Sequence, residues 1–152
     1  MERSHSVSRF AATAILLTLL AAAPRALAAE QLVLIVSADS PIVQLDSLEI
    51  RKLFLGLTVT QHGTRLRPVL NEADARVKEI FLQNIVSMSD ITYDRSLLRL
   101  TLIQGQRRPT AYEDIALLLQ AVAADGSAVS YAWSKDVAHD PRIKILRVLW
   151  HD

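Results

Sequence analysis

Gln31-Leu32-Val33-Leu34-Ile35-Val36-Ser37 (QLVLIVS) decides the fold: five consecutive aliphatic residues, Leu32 to Val36, stand between two polar ends. A short apolar run without polar alternation predicts a strand buried on both faces, with helices covering its sheet on either side. Asp39-Ser40-Pro41 ends the run, because Pro41 biases Ser40 away from helical dihedrals and the chain must turn.

Downstream, helical and strand signals alternate. Asp46 or Ser47 caps a predicted helix over Leu48–Leu55, with Leu48, Leu53 and Phe54 facing inward and Gly56 at its left-handed end. Gln61-His62-Gly63-Thr64 reads as a turn into a second strand, Arg65–Leu70, in which Pro68 limits hydrogen bonding. Glu72-Ala73-Asp74 places negative charge at the start of a helix over Ala75–Val86, where it suits the helix dipole. Its apolar stripe is expected from Val77, Ile80, Phe81, Asn84 and Ile85. Asp90–Leu102 is a further helical stretch and Gln104–Pro109 a loop. Thr110 is expected to cap an amphipathic helix, Ala111–Ala124, whose stripe is Ile115, Leu118, Leu119 and Val122, with Asp125-Gly126 as its stop. Ala128–Trp133 and Ile143–Leu149 read as closing strands. The order β-α-β-α-α-α-β-β predicts an α/β domain with a mixed, largely parallel sheet flanked by helices. Right-handed crossovers would place those helices on both faces.

Upstream of the first strand, residues 1–28 read as an export signal. Arg3 and Arg9 make a positive start, Ala11–Ala23 is an apolar run of thirteen residues, and Ala26-Leu27-Ala28 is a small-x-small cleavage pattern before Ala29. A spanning helix needs about 20 apolar residues, so the run suits a cleaved signal better than an anchor. The expectation is a periplasmic domain over residues 29–152, not membrane-embedded after signal cleavage.

The whole chain has 17 Lys+Arg and 16 Asp+Glu. Residues 1–28 hold Arg3, Arg9, Arg25 and Glu2, which leaves 14 basic and 15 acidic residues in the remainder. That remainder has no net positive field, so composition gives no case for nucleic acid or an anionic membrane as partner. Its length suits one domain with one core. With no cysteine, a disulfide framework, a thiolate metal site and a cysteine nucleophile are all excluded.

Few residues suggest chemistry. There is no Gly-x-Ser-x-Gly elbow, no Walker loop and no Gly-x-Gly-x-x-Gly, so no catalytic residue and no cofactor are assigned. His62, His139 and His151 are far apart and lack ligand spacing, so no metal site is assigned either. Arg107, Arg108 and Thr110 are the strongest candidates for an acidic ligand, with two guanidiniums just ahead of an expected helix start. The alternative is a solvated loop paired with Glu113 or Asp114. Asn71 and Arg76 form a second candidate, with an Asx-type turn beside a solvent-facing arginine as its alternative. Ser37 and Ser40 follow the first strand at a carboxyl edge, where open α/β sheets tend to bind ligands, though turn chemistry explains them equally.

Several phrases in order resemble the substrate-binding proteins of phosphate ABC importers, in particular their short periplasmic relatives. They are Asp39-Ser40-Pro41 after the first strand, Leu48–Gly56 (LEIRKLFLG) beside the family's helix and Phe-x-Gly segment, and Gly63 to Pro68 before a strand. The Phe81 helix follows, and Gly126 to Tyr131 is similar to the Pro-Gly-Ala-Ile-Gly-Tyr turn and strand. The resemblance implies a single-lobe, type II periplasmic-binding-protein-like fold and non-catalytic binding of a small, phosphate-like anion. Full-length phosphate binders offer Ser, Gly and Thr groups after the second strand, at a helix start. This chain instead has Asn71-Glu72-Ala73-Asp74-Ala75-Arg76, and Ser130 precedes Tyr131 where the family has glycine. Those departures and the missing second lobe carry an alternative: an envelope interaction module that docks on a membrane sensor or transporter and has lost solute capture.

Overall fold

The computed structural model describes residues 30–152; the export signal expected over residues 1–28 lies outside the described residues. In chain order the strands are β1 (Gln31–Ser37), the short β2 (Thr60–Gln61) and β3 (Thr64–Arg65), β4 (Arg67–Asn71), β5 (Thr110–Tyr112), β6 (Ala128–Trp133) and β7 (Ile143–His151). The helices are α1 (Ser47–Phe54), α2 (Ala75–Phe81), α3 (Asp90–Gln104), α4 (Ile115–Ala123) and α5 (Ser134–Val137).

The main sheet has the order β5-β4-β6-β1-β7. β4 pairs parallel with β5 and β6, whereas β1 pairs antiparallel with β6 and β7. Four of the five strands therefore run one way and β1 alone runs against them, a mixed, largely parallel sheet.

β1 is covered on both faces, and its residues divide by alternation. Leu32, Leu34 and Val36 enter the larger core with Phe54, Phe81 and Tyr131. Val33 and Ile35 pack against Leu119, Ala132 and Val137 under α4 and α5. In the larger core Phe81 stacks on Tyr131 with centroids 3.7 Å apart, and Phe54 meets both rings edge-on. Tyr93 donates its hydroxyl to the Phe54 carbonyl at 2.7 Å, which fastens α3 to the end of α1.

Asp46 caps α1 in a reciprocal box with Glu49. The inward residues are Ile50, Leu53 and Phe54, at i, i+3 and i+4. Leu48 was expected inward and is exposed, because it lies two residues before Ile50, on the opposite side of the helix. Gly56 has φ +81°, and the Gly56 N–H to Leu53 and Leu57 N–H to Lys52 bonds close α1 in a Schellman arrangement. His62 and Gly63 both have positive φ, as a two-residue hairpin between β2 and β3 requires.

Two helix expectations change. The chain after α2 continues as a π turn, Leu82–Val86, which buries Leu82 and Val86 and leaves Asn84 exposed. Its i→i+5 bonding takes one more residue per turn, so later residues rotate by about 100° relative to an α-helical stripe. Thr110 also does not cap a helix. Thr110, Ala111 and Tyr112 pair in parallel register with Val69, Leu70 and Asn71, and Asp114 caps α4 by accepting from the Leu117 N–H at 3.0 Å. The edge of β4 offers backbone partners to these residues, so they extend the sheet before the helix begins.

Candidate functional site

β4, β5 and β6 begin at the same edge of the sheet, and a cleft of about 640 Å³ opens there. One wall is the end of α1 with Leu53, Gly56 and Leu57; another is the last turns of α3 with Leu97, Leu100 and Thr101. Gln106 to Thr110 close a third side, and Arg65, Leu66, Arg67, Pro68 and Ser127 come from the strand starts. Gly56 is required here on two counts: its left-handed backbone, and the Leu100 methyl only 2.9 Å from where a Cβ would stand.

Four arginines, Arg65, Arg67, Arg107 and Arg108, line the cleft, and no carboxylate does. Arg67 is fixed by Asp125, whose Oδ2 accepts from its Nε and Nη2 at 2.9 and 2.7 Å. Burial works against the Asp125 charge, yet bonds from Ser127 and Arg67 outweigh it and hold that carboxyl below its ordinary value. Arg108 is held by Asp94 at 2.8 Å. Arg65 and Arg107 form no ion pair with another described residue. The expected Arg107, Arg108 and Thr110 thus meet in one place. Arg65 and Arg67 join them from a signal that the sequence does hold: Arg65-Leu66-Arg67 alternates, and in extended chain the two arginines share a side.

The other four expected residues lie elsewhere. Asn71 is buried, donates its Nδ2 to the Tyr131 carbonyl at 2.9 Å and accepts the Ala73 N–H at 3.0 Å, which locks β4 to β6. Arg76 is solvent-facing and pairs with Glu30 at 3.0 Å and Asp152 at 3.7 Å, with its guanidinium over the Trp133 ring. It joins the two ends of the described chain. Ser37 and Ser40 stand at the carboxyl end of β1, but β1 is antiparallel to β6, so they lie at the starts of the parallel strands and not beside Asn71. Both are buried; Ser37 Oγ donates to the Ala123 carbonyl at 3.1 Å and Ser40 Oγ to the Gly126 carbonyl at 2.5 Å.

The carboxyl ends of β4 and β5 open on a second cavity, of about 820 Å³, with the opposite charge. Glu72, Glu79, Asp90 and Glu113 line it, and Lys78 is its single cation, 3.0 Å from Glu72 and 2.9 Å from Asp90. Burial works against the Lys78 charge, but Asp90 and Glu72 hold it above its ordinary value. Such a mouth repels an anion. Among the described residues no group of three or more His, Asp, Glu or Cys side chains is placed to hold a metal ion. No helix among the described residues is long and apolar enough to cross a membrane.

No family model matches this sequence, and no curated protein matches it. Solved structures do match the fold. An ABC-type phosphate transport receptor from Vibrio cholerae superposes over 78% of this chain with a TM-score of 0.57 and 14% identity. A protein from Clostridium perfringens assigned as a phosphate ABC transporter substrate-binding protein, solved with bound phosphate, does so over 78% with a TM-score of 0.60 and 14% identity. PstS from Borrelia burgdorferi does so over 78% with a TM-score of 0.51 and 11% identity. The chain spans just under half the length of these structures, 46%, 45% and 47% respectively. The chain therefore shares the fold of these structures over somewhat less than half of their length, as a single-lobe periplasmic-binding-protein-like domain with a mixed, largely parallel sheet flanked by helices.

Proposed function

We propose that the protein is a non-catalytic, exported binding module that takes a small anionic solute in the arginine-lined cleft. The observation that carries this reading is the convergence of Arg65, Arg67, Arg107 and Arg108 on one concave surface that no carboxylate lines. Guanidiniums are planar, permanently charged fork donors suited to carboxylate and phosphate oxygens. Thr110 stands on the same surface as a hydroxyl partner, whereas the Ser127 hydroxyl is already given to Asp125 Oδ1 at 2.7 Å. The thirteen-residue apolar run behind Arg3 and Arg9 supports export to the periplasm. Two solved structures of this fold, the phosphate transport receptor from Vibrio cholerae and the phosphate-bound protein from Clostridium perfringens, support solute binding as the activity. Titration calorimetry against phosphate, sulfate and carboxylates at low salt tests the reading. Heat that saturates for at least one of them, and is lost in Arg107→Ala, is expected; silence across the panel overturns it.

The alternative, docking on a membrane sensor or transporter, draws on α3. Ile91, Leu98 and Leu102 recur at i, i+7 and i+11 on its outer side and are exposed, as is Ile103. Recovery of one membrane protein from envelope extract, lost in Leu102→Asp, would favour this reading over the first.

A further inference from the structure

The cleft is built for more than charge. Leu57, which is 48% exposed, and Leu100 present apolar surface inside it, with the buried Leu53, Leu66 and Leu97 behind them. The helices that wall it, α1 and α3, do so with their carboxyl-terminal turns, which carry negative partial charge. That is the reverse of the helix-start arrangement, in which free amides hold a bare oxyanion. The hydroxyl of Thr101 is already used on the Leu97 carbonyl at 3.0 Å. A bare oxyanion would therefore rely on the arginines and leave the leucine surface wet. None of the residues that line the cleft is aromatic, so it offers a nucleobase no stacking platform. A predominantly apolar hollow with a few placed polar groups is the usual form of a site for an organic ligand.

We infer that the ligand of this cleft is an amphipathic organic acid, a carboxylate on an apolar body. The carboxylate pairs with Arg107 and Arg65, the two cleft arginines that have no ion partner among the described residues, and the body lies on Leu57 and Leu100. This rests on the anion-binding reading above and names its ligand class. Charge selects the acid and the leucine surface selects the chain, so affinity should grow with apolar length up to the limit of the cleft. Each methylene that leaves water on the floor strengthens binding by about fourfold.

The test is calorimetry of the protein with acetate, hexanoate, octanoate, 1-octanol and inorganic phosphate under one buffer. Octanoate is expected to bind at least tenfold tighter than acetate and phosphate, and tighter than 1-octanol. Arg107→Ala and Leu57→Asp, both at exposed positions, are expected to weaken octanoate at least fivefold without unfolding the protein. If phosphate binds as tightly as octanoate and both are lost in Arg107→Ala, the organic-acid inference falls while the anion site stands. If 1-octanol equals octanoate, the inference falls because charge does not select the ligand. If nothing binds, the inference and the anion-binding reading fall together.

Discussion

Trp133 donates its indole Nε1–H to Asp74 Oδ2 at 2.9 Å, while the other oxygen of the same carboxylate accepts the Arg76 and Val77 N–H groups at 2.8 and 3.3 Å. The start of α2 is thus filled by the protein's own anion. The amides at this helix start are taken by a side chain that also ties α2 to β6. This is why the arginine cleft, at the other end of the parallel strands, carries the functional proposal.

Asp74→Ala removes a helix cap and leaves the Trp133 N–H without its acceptor. The expected loss is about 2 kcal/mol, combining a cap of about 1 kcal/mol with an orphaned donor of similar size. Urea unfolding with a fixed slope would measure it, and a loss below about 0.5 kcal/mol would show that water replaces Asp74 freely.

Acid should weaken the fold through the same groups. The Trp133 hydrogen bond, with helix amides behind it, holds Asp74 below its ordinary value of 3.8. Asp125 is also lowered from 3.8, against the pull of burial, by Ser127 and Arg67. A depressed carboxyl contributes stability that is present above its unfolded value and lost as pH falls through the lower folded value. Stability should therefore fall below about pH 4, and less steeply in Asp74→Asn, which has no proton to take up there. Urea midpoints between pH 2 and 6 would show this; equal slopes for the two proteins would contradict it.

Asn71→Ala should damage the fold and not the cleft. It frees the Tyr131 carbonyl and the Ala73 N–H from their partner in a buried setting. The expected loss is about 2–4 kcal/mol, while anion affinity per folded molecule stays within twofold. A stable variant with abolished binding would return Asn71 to the site.

Arg76→Ala and Arg107→Ala make a matched pair, since both arginines are exposed. Losing Arg76 removes exposed ion pairs to Glu30 and Asp152 and should cost less than about 1 kcal/mol, with ligand affinity unchanged. Losing Arg107 should leave stability alone and weaken the bound anion by about fivefold or more. The opposite pattern would move the site to the carboxyl edge of the sheet.

Gly56→Ala meets the Leu100 methyl at 2.9 Å and forces a left-handed backbone on alanine. A loss of about 1–2 kcal/mol is expected, together with weaker ligand binding because the Leu100 wall must shift. Preserved stability with preserved affinity would mean that α3 yields without cost, as its shallow burial through Tyr93 and Leu97 would then allow.

Local chemistry made much of this molecule readable from its residues. The unbroken aliphatic run of β1, the cap at Asp46, the left-handed Gly56 and the α4 stripe follow from periodicity and backbone sterics, which act over a few neighbours. The Arg107-Arg108 pair and Thr110 were visible for the same reason, because adjacent charges stand out. Strand direction was not readable. β1 runs against its neighbours, a relation fixed by long-range pairing, and it sends Ser37 and Ser40 to the edge away from Asn71. Nor could sequence spacing join Arg65 and Arg67 to Arg107 and Arg108, roughly forty residues apart in the chain, across the starts of β4 and β5. Sequence set which elements form and which residues carry charge. Only tertiary pairing decided which polar groups share a cleft and which, like Asn71 and Asp74, are consumed in holding the fold, because burial and hydrogen-bond satisfaction belong to the packed chain as a whole.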